Sequence, residues 1–251
     1  MQITVEIADV IYRIEFKDPA VFDRLKDYRS NAAADHLILT DDTDIAEYLD
    51  RQKRRLSGMK VRTEENPEAG LIYDKLASAL PLHQAILLHG AAIVFDQKAF
   101  VFTGPSGIGK STQAGLWKKV FGERVQILNG DRTVIRKGSG SDTGFLVCGF
   151  PWGGKENWQM RMKAPLSAVI LLDQASDNRA FELSKEKAWE ASVRQAFIPL
   201  EDTGISGMAL DLIRNICENV PFFKLDCTPD ERAVHCCYTL LAERGFLETG
   251  S

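Results

Sequence analysis

One glycine-rich stretch, which ends in a lysine and two hydroxyl residues, has the composition needed for chemistry. Residues 101–113 read VFTGPSGIGKSTQ and satisfy the pattern G-x-x-x-x-G-K-[ST] at every fixed position. Glycines let backbone N–H groups turn toward phosphate oxygens, and a helix that follows adds the positive end of its dipole. The sequence therefore predicts a loop that binds a nucleoside triphosphate through Gly104, Pro105, Ser106, Gly107, Ile108, Gly109, Lys110, Ser111 and Thr112.

Two residues of this loop have predictable roles, and they require an acidic partner elsewhere. We expect Lys110 to be exposed and to reach the β- and γ-phosphates, and the Ser111 hydroxyl to ligate Mg²⁺. Two aspartates compete for the second metal position. Asp173 ends AVILLD, a pattern of apolar residues and aspartate typical of transport and motor ATPases, whereas Asp131 ends VQILNGD. Asn-Gly-Asp is also a good turn sequence, so Asp131 has a purely structural interpretation as well.

A histidine on an apolar segment is the next candidate for chemistry. Strands over about 86–95 and 99–103 are predicted to form a hairpin around the polar turn Asp96-Gln97-Lys98. With that register His89 lies opposite Pro105, at the mouth of the phosphate loop. A single histidine on an apolar strand more often packs in a core, but this position favours a catalytic role.

The elements that must position these residues follow from the hydrophobic pattern. Residues 3–16 alternate with period two and predict a hairpin that turns at Ala8-Asp9. Strands and helices alternate after residue 85, which predicts a mixed α/β sheet. We expect a small α+β N-terminal domain over 1–65 and a phosphate-loop core over 66–251. Helices are predicted over about 110–121, 184–196 and 204–219, together with a closing helix that Thr228 caps and Pro229 begins.

At this point the sequence resembles a known family. LHGAAIVFDQKAFVFTGPSGIGKST, followed by ILNGDRTVIR, is similar to the kinase core of the HPr kinase/phosphorylase superfamily, which is related to phosphoenolpyruvate carboxykinase. His89-Gly90, the phosphate loop and Asp131 match its pattern. CGFPWGGKENW and APLSAVILLDQASDN resemble segments of HPr-kinase-like proteins that accompany peptide-modifying enzymes. The resemblance covers roughly residues 85–175 and implies a kinase fold of this type, with ATP and Mg²⁺ as cofactors.

One departure from the family pattern concerns the base that takes the acceptor's proton. The family carries Asp-Asp where this chain has Gly130-Asp131, and the first aspartate is the expected base. Asp131 matches the second, metal-binding aspartate. Either Asp131 serves both purposes, or the base comes from elsewhere, or phosphoryl transfer is impaired. Lys155 and Glu156, in PWGGKEN, are candidate substitutes, and their alternative interpretation is a solvated ion pair in a surface loop.

The leading interpretation is a kinase that transfers the γ-phosphoryl group of ATP to a hydroxyl, in particular a serine of a protein or peptide. A small-molecule hydroxyl is the nearby variant. The alternatives are a nucleotide-hydrolysing switch or motor and an accessory module that only binds nucleotide. The sequence contains neither an LSGGQ-like transporter signature nor the N-K-x-D motif that reads guanine, which favours ATP and a kinase.

Composition limits the partners and the compartment. The formal net charge of -4 gives no basic excess for a nucleic-acid partner. The five cysteines include no CxxC pair, which favours reduced thiols over a zinc site or disulfides. The longest apolar run, AILLHGAAIVF, is too short to cross a bilayer, and the N-terminus does not read as a signal peptide. We therefore expect a cytoplasmic protein with no membrane partner. The family resemblance allows a homo-oligomer.

Overall fold

The computed structural model describes residues 1–56, 66–140 and 144–248. The chain divides into two compact units, Met1–Leu80 and Pro81–Ser251. The domain boundary expected at residue 65 lies outside the described residues. The helix Pro67–Ala79, which the sequence assigned to the larger domain, belongs to the first unit, where it packs against the helix Asp42–Leu56.

The first unit is a three-stranded sheet with three helices. The hairpin predicted over 3–16 is confirmed: its two strands are joined by Ala8 and Asp9, both with positive φ. The Asp18 side chain caps the first helix by accepting a hydrogen bond from Ala20 N. The sheet order is β1-β2-β3, with β3 parallel to β2. The elements are β1 (Gln2–Ile7), β2 (Val10–Glu15), α1 (Pro19–Leu25), β3 (His36–Ile38), α2 (Asp42–Leu56) and α3 (Pro67–Ala79).

The second unit is built on an eight-stranded mixed sheet, as the alternation of elements predicted. β5 and β11 both run parallel to β9, and the other pairings are antiparallel. Because β8 pairs with both β7 and β9, the pairings β4-β5-β9-β8-β7 close into a ring. The strands are β4 (Ala85–Phe95), β5 (Lys98–Thr103), β6 (Val125–Asn129), β7 (Arg132–Lys137), β8 (Phe145–Cys148), β9 (Lys163–Gln174), β10 (Arg179–Glu182) and β11 (Phe222–Cys227).

Helices cover both faces of this sheet. Successive residues of β4 point to opposite faces: Ile86 and Leu88 enter one apolar cluster, and Ile93 and Phe95 enter the other. The first cluster includes residues of α5 (Lys185–Gln195) and α6 (Thr203–Asn219), and the second includes residues of α4 (Lys110–Phe121) and α7 (Glu231–Glu243). None of the helices in the described ranges is both long and apolar enough to traverse a bilayer.

The predicted register of the β4–β5 hairpin is wrong by one position. The turn has two residues, Asp96-Gln97, with φ of 47° and 66°, and Lys98 already belongs to β5. Two-residue turns with positive φ match the twist of the paired strands. His89 therefore does not lie opposite Pro105; it pairs with Arg132 of β7.

The predicted start of the closing helix is also wrong. The N-cap is Asp230, whose side chain accepts a hydrogen bond from Arg232 N at 2.9 Å. Thr228 instead donates its backbone N–H to Asn178 Oδ1 at 3.0 Å, which holds it outside the helix. Because that contact joins residues far apart in sequence, the local pattern could not reveal it.

Candidate active site

The glycine-rich loop leaves the sheet at the end of β5 and leads into α4. Gly104, Gly107 and Gly109 have φ of 144°, 81° and 111°, a region that residues with a side chain rarely adopt. A Cβ placed on Gly107 or Gly109 would have no atom within 4 Å, so the space beside these two residues is open. The order of strand, loop and helix is the one that the sequence predicted.

Lys110 is the first residue of α4, and its side chain is buried, with only 6% exposed. The expectation that it is exposed is wrong, because the side chain folds back onto the loop. Its Nζ donates hydrogen bonds to Gly104 O and Pro105 O, each at 3.0 Å. Burial lowers the pKa of Lys110 to about 8; the charge of Asp131 opposes this shift and that of Arg132 adds to it.

Asp131 is presented by a tight turn between β6 and β7. Asn129 is completely buried, and its Oδ1 accepts hydrogen bonds from Asp131 N at 2.9 Å and Arg132 N at 2.7 Å. Gly90 N donates to Asp131 O at 3.0 Å, which fixes the turn to β4. The Asn-Gly-Asp signal is therefore a true turn signal, and this turn holds Asp131 in place.

The side chains of His89 and Asp131 are in contact. His89 Nε2 lies 3.1 Å from Asp131 Oδ1, and Arg132 Nη1 lies 3.5 Å from Asp131 Oδ2. Burial alone would raise the pKa of Asp131, but the His89 hydrogen bond and the charges of Arg132, His89 and Lys110 outweigh it and hold the pKa below its usual value. Asp131 is therefore an ionised carboxylate among three potential cations.

The competing aspartate, Asp173, is on the strand beside β5, and it pairs with a lysine. It lies at the end of β9, where Lys224 Nζ is 3.0 Å from its Oδ2. The same Nζ lies 2.8 Å from Asp226 Oδ1. Asp131 is the carboxylate whose charge acts on Lys110. This arrangement favours Asp131 as the acidic partner of the phosphate loop.

The segment 149–162, which we call the strap, brings Glu156 to the start of α4. Ser111 Oγ donates a hydrogen bond to Glu156 Oε1 at 3.3 Å. A Cβ placed on Gly154 would lie 2.8 Å from Asp131 Cβ and 3.6 Å from Glu156 Oε2. The strap therefore passes directly beside Asp131, and the Glu156 side chain lies on the same side of it. Lys155 is exposed in the same part of the strap.

The donor set suits a magnesium ion that is shared with a nucleotide. Within the described residues, no cluster of three or more His, Cys, Asp or Glu side chains could hold a metal alone. Mg²⁺ is usually held by one or two carboxylates together with phosphate oxygens and water. The Ser111 hydroxyl, Asp131 and Glu156 are the oxygen-bearing groups that could serve as such ligands beside the loop.

Two residues of the site escaped the sequence analysis. Asn129 organises the turn, and Arg132 places a guanidinium beside Asp131. A signal for both was present, because they flank Gly130-Asp131 and are polar residues at the ends of apolar strands. The sequence pattern alone did not separate them from ordinary turn residues.

The similarity of this chain to known proteins lies in its structure. Neither a protein-family model nor a curated protein matches this sequence. Among solved structures, the chain is similar to the HPr(Ser) kinase/phosphatase from Coxiella burnetii, with 11% identity and a TM-score of 0.37 over 63% of this chain and 98% of that chain. The residues of the site are therefore the basis for the proposed function.

Proposed function

We propose that this protein is an ATP- and Mg²⁺-dependent kinase that transfers the γ-phosphoryl group to a hydroxyl, in particular a serine of a protein or peptide. The observation that carries the proposal is the contact of His89 with Asp131 beside a complete phosphate-loop motif, where Asp131 acts on the charge of Lys110. A loop that only binds nucleotide has no need of this pair.

The loop is expected to bind the triphosphate with its backbone N–H groups and Lys110. When phosphates enter the space beside Gly107 and Gly109, the Lys110 ammonium exchanges the carbonyls of Gly104 and Pro105 for phosphate oxygens. The N-terminus of α4 adds a favourable dipole at the same place. Lys155, exposed on the strap, is a second cation that could neutralise phosphate charge.

Magnesium, when bound, neutralises charge on the β- and γ-phosphates. Ser111 and Asp131 are the proposed ligands, and Glu156 lies beside them. The lowered pKa of Asp131 keeps this carboxylate ionised, which suits a ligand and makes Asp131 a weak base.

The proton of the acceptor needs a different group, and His89 is the proposed one. As the acceptor oxygen bonds to the γ-phosphorus and the bond to the bridging oxygen of ADP breaks, the hydroxyl proton passes to the imidazole. Asp131, as a carboxylate, accepts a hydrogen bond from the His89 ring and holds the imidazole in one orientation. The serine acceptor class rests on the resemblance of the phosphate-loop region and strap to HPr-kinase-like proteins.

The test is product analysis with γ-labelled ATP, Mg²⁺ and a library of serine, threonine and tyrosine peptides, with free serine and glycerol as small hydroxyl acceptors. The proposal expects label on a hydroxyl acceptor, preferentially on serine peptides. Release of labelled phosphate alone, in the presence of every acceptor, would favour an ATPase. Binding of ATP with neither product would favour an accessory module.

A pair of lysine variants shows whether the loop is the nucleotide site. Lys110→Met is expected to weaken binding of ATP with Mg²⁺ by about a hundredfold, measured by calorimetric titration. Lys118→Met is the matched control, since Lys118 is on the same helix and contacts Glu123 at its C-terminal end. Equal affinities of the two variants would place the nucleotide elsewhere.

A further inference from the structure

The strap fills the space that a side chain at position 130 would need, and its middle part, at Glu156, contacts the start of α4. We propose that Gly130 and Trp158 are positioning residues that seat the strap, so that Glu156 supplies the second carboxylate next to Ser111 and Asp131. This inference rests on the proposed function, because it concerns the magnesium ion of the same site.

Backbone hydrogen bonds attach the strap to β6 and its turn. Gly130 N donates to Trp158 O at 2.9 Å, and Met160 N donates to Leu128 O at 3.0 Å. On the other side, Asn129 Nδ2 donates to Phe150 O at 2.8 Å. Since Asn129 also holds the Asp131 turn, a single buried amide joins the strap to the carboxylate.

Position 130 has no room for a side chain while the strap is seated. A Cβ placed on Gly130 would lie 2.8 Å from Gly153 O, closer than real Cβ atoms approach, and 3.4 Å from Trp158 Cβ. An aspartate here would therefore displace the strap before its carboxylate could act. The glycine is a steric requirement of this fold and is not evidence that the site has lost a carboxylate.

The Trp158 side chain packs the strap against the helix that follows the phosphate loop. A Cβ on Gly115 of α4 would lie 3.4 Å from Trp158 Cη2, at the far edge of the indole, while the near edge faces Gly130. Two glycines thus form the surfaces between which the ring is placed. Glu156 belongs to the strap and Ser111 belongs to α4. The contact of Trp158 with α4 therefore sets the distance between Glu156 and Ser111.

The chemistry of Glu156 fits this role. Its Oε1 accepts the Ser111 hydroxyl hydrogen bond, and its Oε2 and Asp131 Cβ both lie close to the same point beside Gly154. When Ser111 turns its oxygen toward a magnesium ion, the Glu156 carboxylate beside it could bind the ion or one of its waters.

The experiment measures the binding of a non-hydrolysable ATP analogue by calorimetry, as a function of Mg²⁺ concentration and in excess chelator. Glu156→Gln is expected to raise the Mg²⁺ concentration for half-maximal tight binding about tenfold, with metal-free binding unchanged. Glu123→Gln, an exposed carboxylate at the other end of α4, is the control and should behave like the wild type.

Two further variants test the seating of the strap. Gly130→Asp and Trp158→Leu should raise the Mg²⁺ requirement about tenfold or more, although the first adds a carboxylate. Trp189→Leu, on α5, is the control for loss of an indole. If an aspartate at position 130 acted here as the first aspartate of the family's Asp-Asp pair does, Gly130→Asp would instead lower the Mg²⁺ requirement. That outcome would overturn the proposal.

Other outcomes are equally decisive. An unchanged Mg²⁺ requirement in Glu156→Gln overturns the role of Glu156, and this exposed substitution should not affect folding, which thermal unfolding can verify. If the wild type binds the analogue with Mg²⁺ but never transfers phosphate, only the proposed kinase function fails. If it does not bind the analogue, both proposals fail.

Discussion

Glu68 in the first unit and Asp131 in the second are two carboxylates with opposite surroundings. Glu68 is only 4% exposed and accepts hydrogen bonds from Lys17 N at 2.9 Å, Asp18 N at 2.7 Å and Thr40 Oγ1 at 2.6 Å. The side chain of Asp131 is 34% exposed and faces the side chains of His89 and Arg132. Glu68 is buried among hydrogen-bond donors, two of which are backbone N–H groups. Asp131 is partly exposed and lies beside side chains that can carry positive charge.

The difference separates a carboxylate with a structural role from one that we propose to be functional. The donors around Glu68 are fixed by the fold of α1 and β3, and they leave no face for a ligand. The groups around Asp131 are side chains that can carry positive charge, so their interactions change when a charged ligand binds. Substituting the two residues should therefore change different quantities: stability in the first case, and chemistry in the second.

The largest expected effect is that of Asp131→Asn. Losing the negative charge removes the proposed metal ligand and the partner of the His89 ring, so turnover should fall about a thousandfold. The measurement is the initial rate of phosphoryl transfer to the acceptor peptide identified with labelled ATP.

Asp173→Asn is the matched control for this change. Asp173 is bound to Lys224, so its amide variant should keep turnover within about threefold of the wild type. A large loss in Asp173→Asn with a small loss in Asp131→Asn would reverse the assignment of the metal partner and favour the ATPase interpretation.

His89→Ala should have the next largest effect. Removing the proposed proton acceptor is expected to lower turnover about a hundredfold, while ATP affinity changes far less. His235→Ala, an exposed histidine on α7, is the control. Wild-type turnover in His89→Ala would show that His89 has only a structural role in the pairing of β4 with β7.

Glu68→Gln should act on stability alone. In the variant, an NH₂ group replaces one of the two carboxylate oxygens and cannot accept a hydrogen bond. The backbone N–H of Lys17 or Asp18 then loses its acceptor, which lowers the unfolding free energy by about 2 kcal/mol. Hydrogen exchange of the amides of the first unit in the full chain measures this local loss. Glu47→Gln, exposed on α2, is the control. A change in nucleotide affinity in Glu68→Gln would contradict the division between the two carboxylates.

The sequence predicted the local order of elements well because that order depends on local patterns. The strand, glycine loop and helix at Lys110 and the turn at Ala8-Asp9 follow from short-range signals, and the structure confirms both. The β4–β5 register failed because Asp-Gln is not a typical two-residue turn. Tertiary contacts stabilise it: Arg124 binds Asp96 and lies over the Phe95 ring.

The candidate site was predictable only in part. The motif identified Lys110 and Ser111, but the burial of Lys110 depends on two loop carbonyls that it contacts after folding. Glu156 was a candidate, yet its contact with Ser111 follows from the way in which the strap packs on Gly130. Contacts between segments far apart in sequence determine these features, and one sequence carries no direct record of them.

The smallest expected effect concerns the pH dependence of nucleotide binding through Lys110. The folded-state pKa of about 8 is lower than the usual lysine value of about 10.4. Between these two values the unfolded chain holds a proton that the folded protein has lost, so the unfolding free energy of the ligand-free protein rises with pH. A bound triphosphate reverses the shift, because its negative charge raises the pKa of Lys110.

Binding above about pH 8 must therefore include the uptake of a proton, and the Kd for the ATP analogue should rise about tenfold from about pH 7.5 to about pH 9. Calorimetry in buffers of different ionisation enthalpy measures that proton directly. Lys110→Met should remove both the proton uptake and the rise in Kd.

In Asp131→Asn the rise in Kd should begin at lower pH, because the charge that opposes the lowered pKa of Lys110 is lost. Glu68→Gln should leave the pH dependence of Kd unchanged. A Kd that stays constant over this range in the wild type would mean that Lys110 remains charged in the free loop, and that its burial is relieved by motion of the loop.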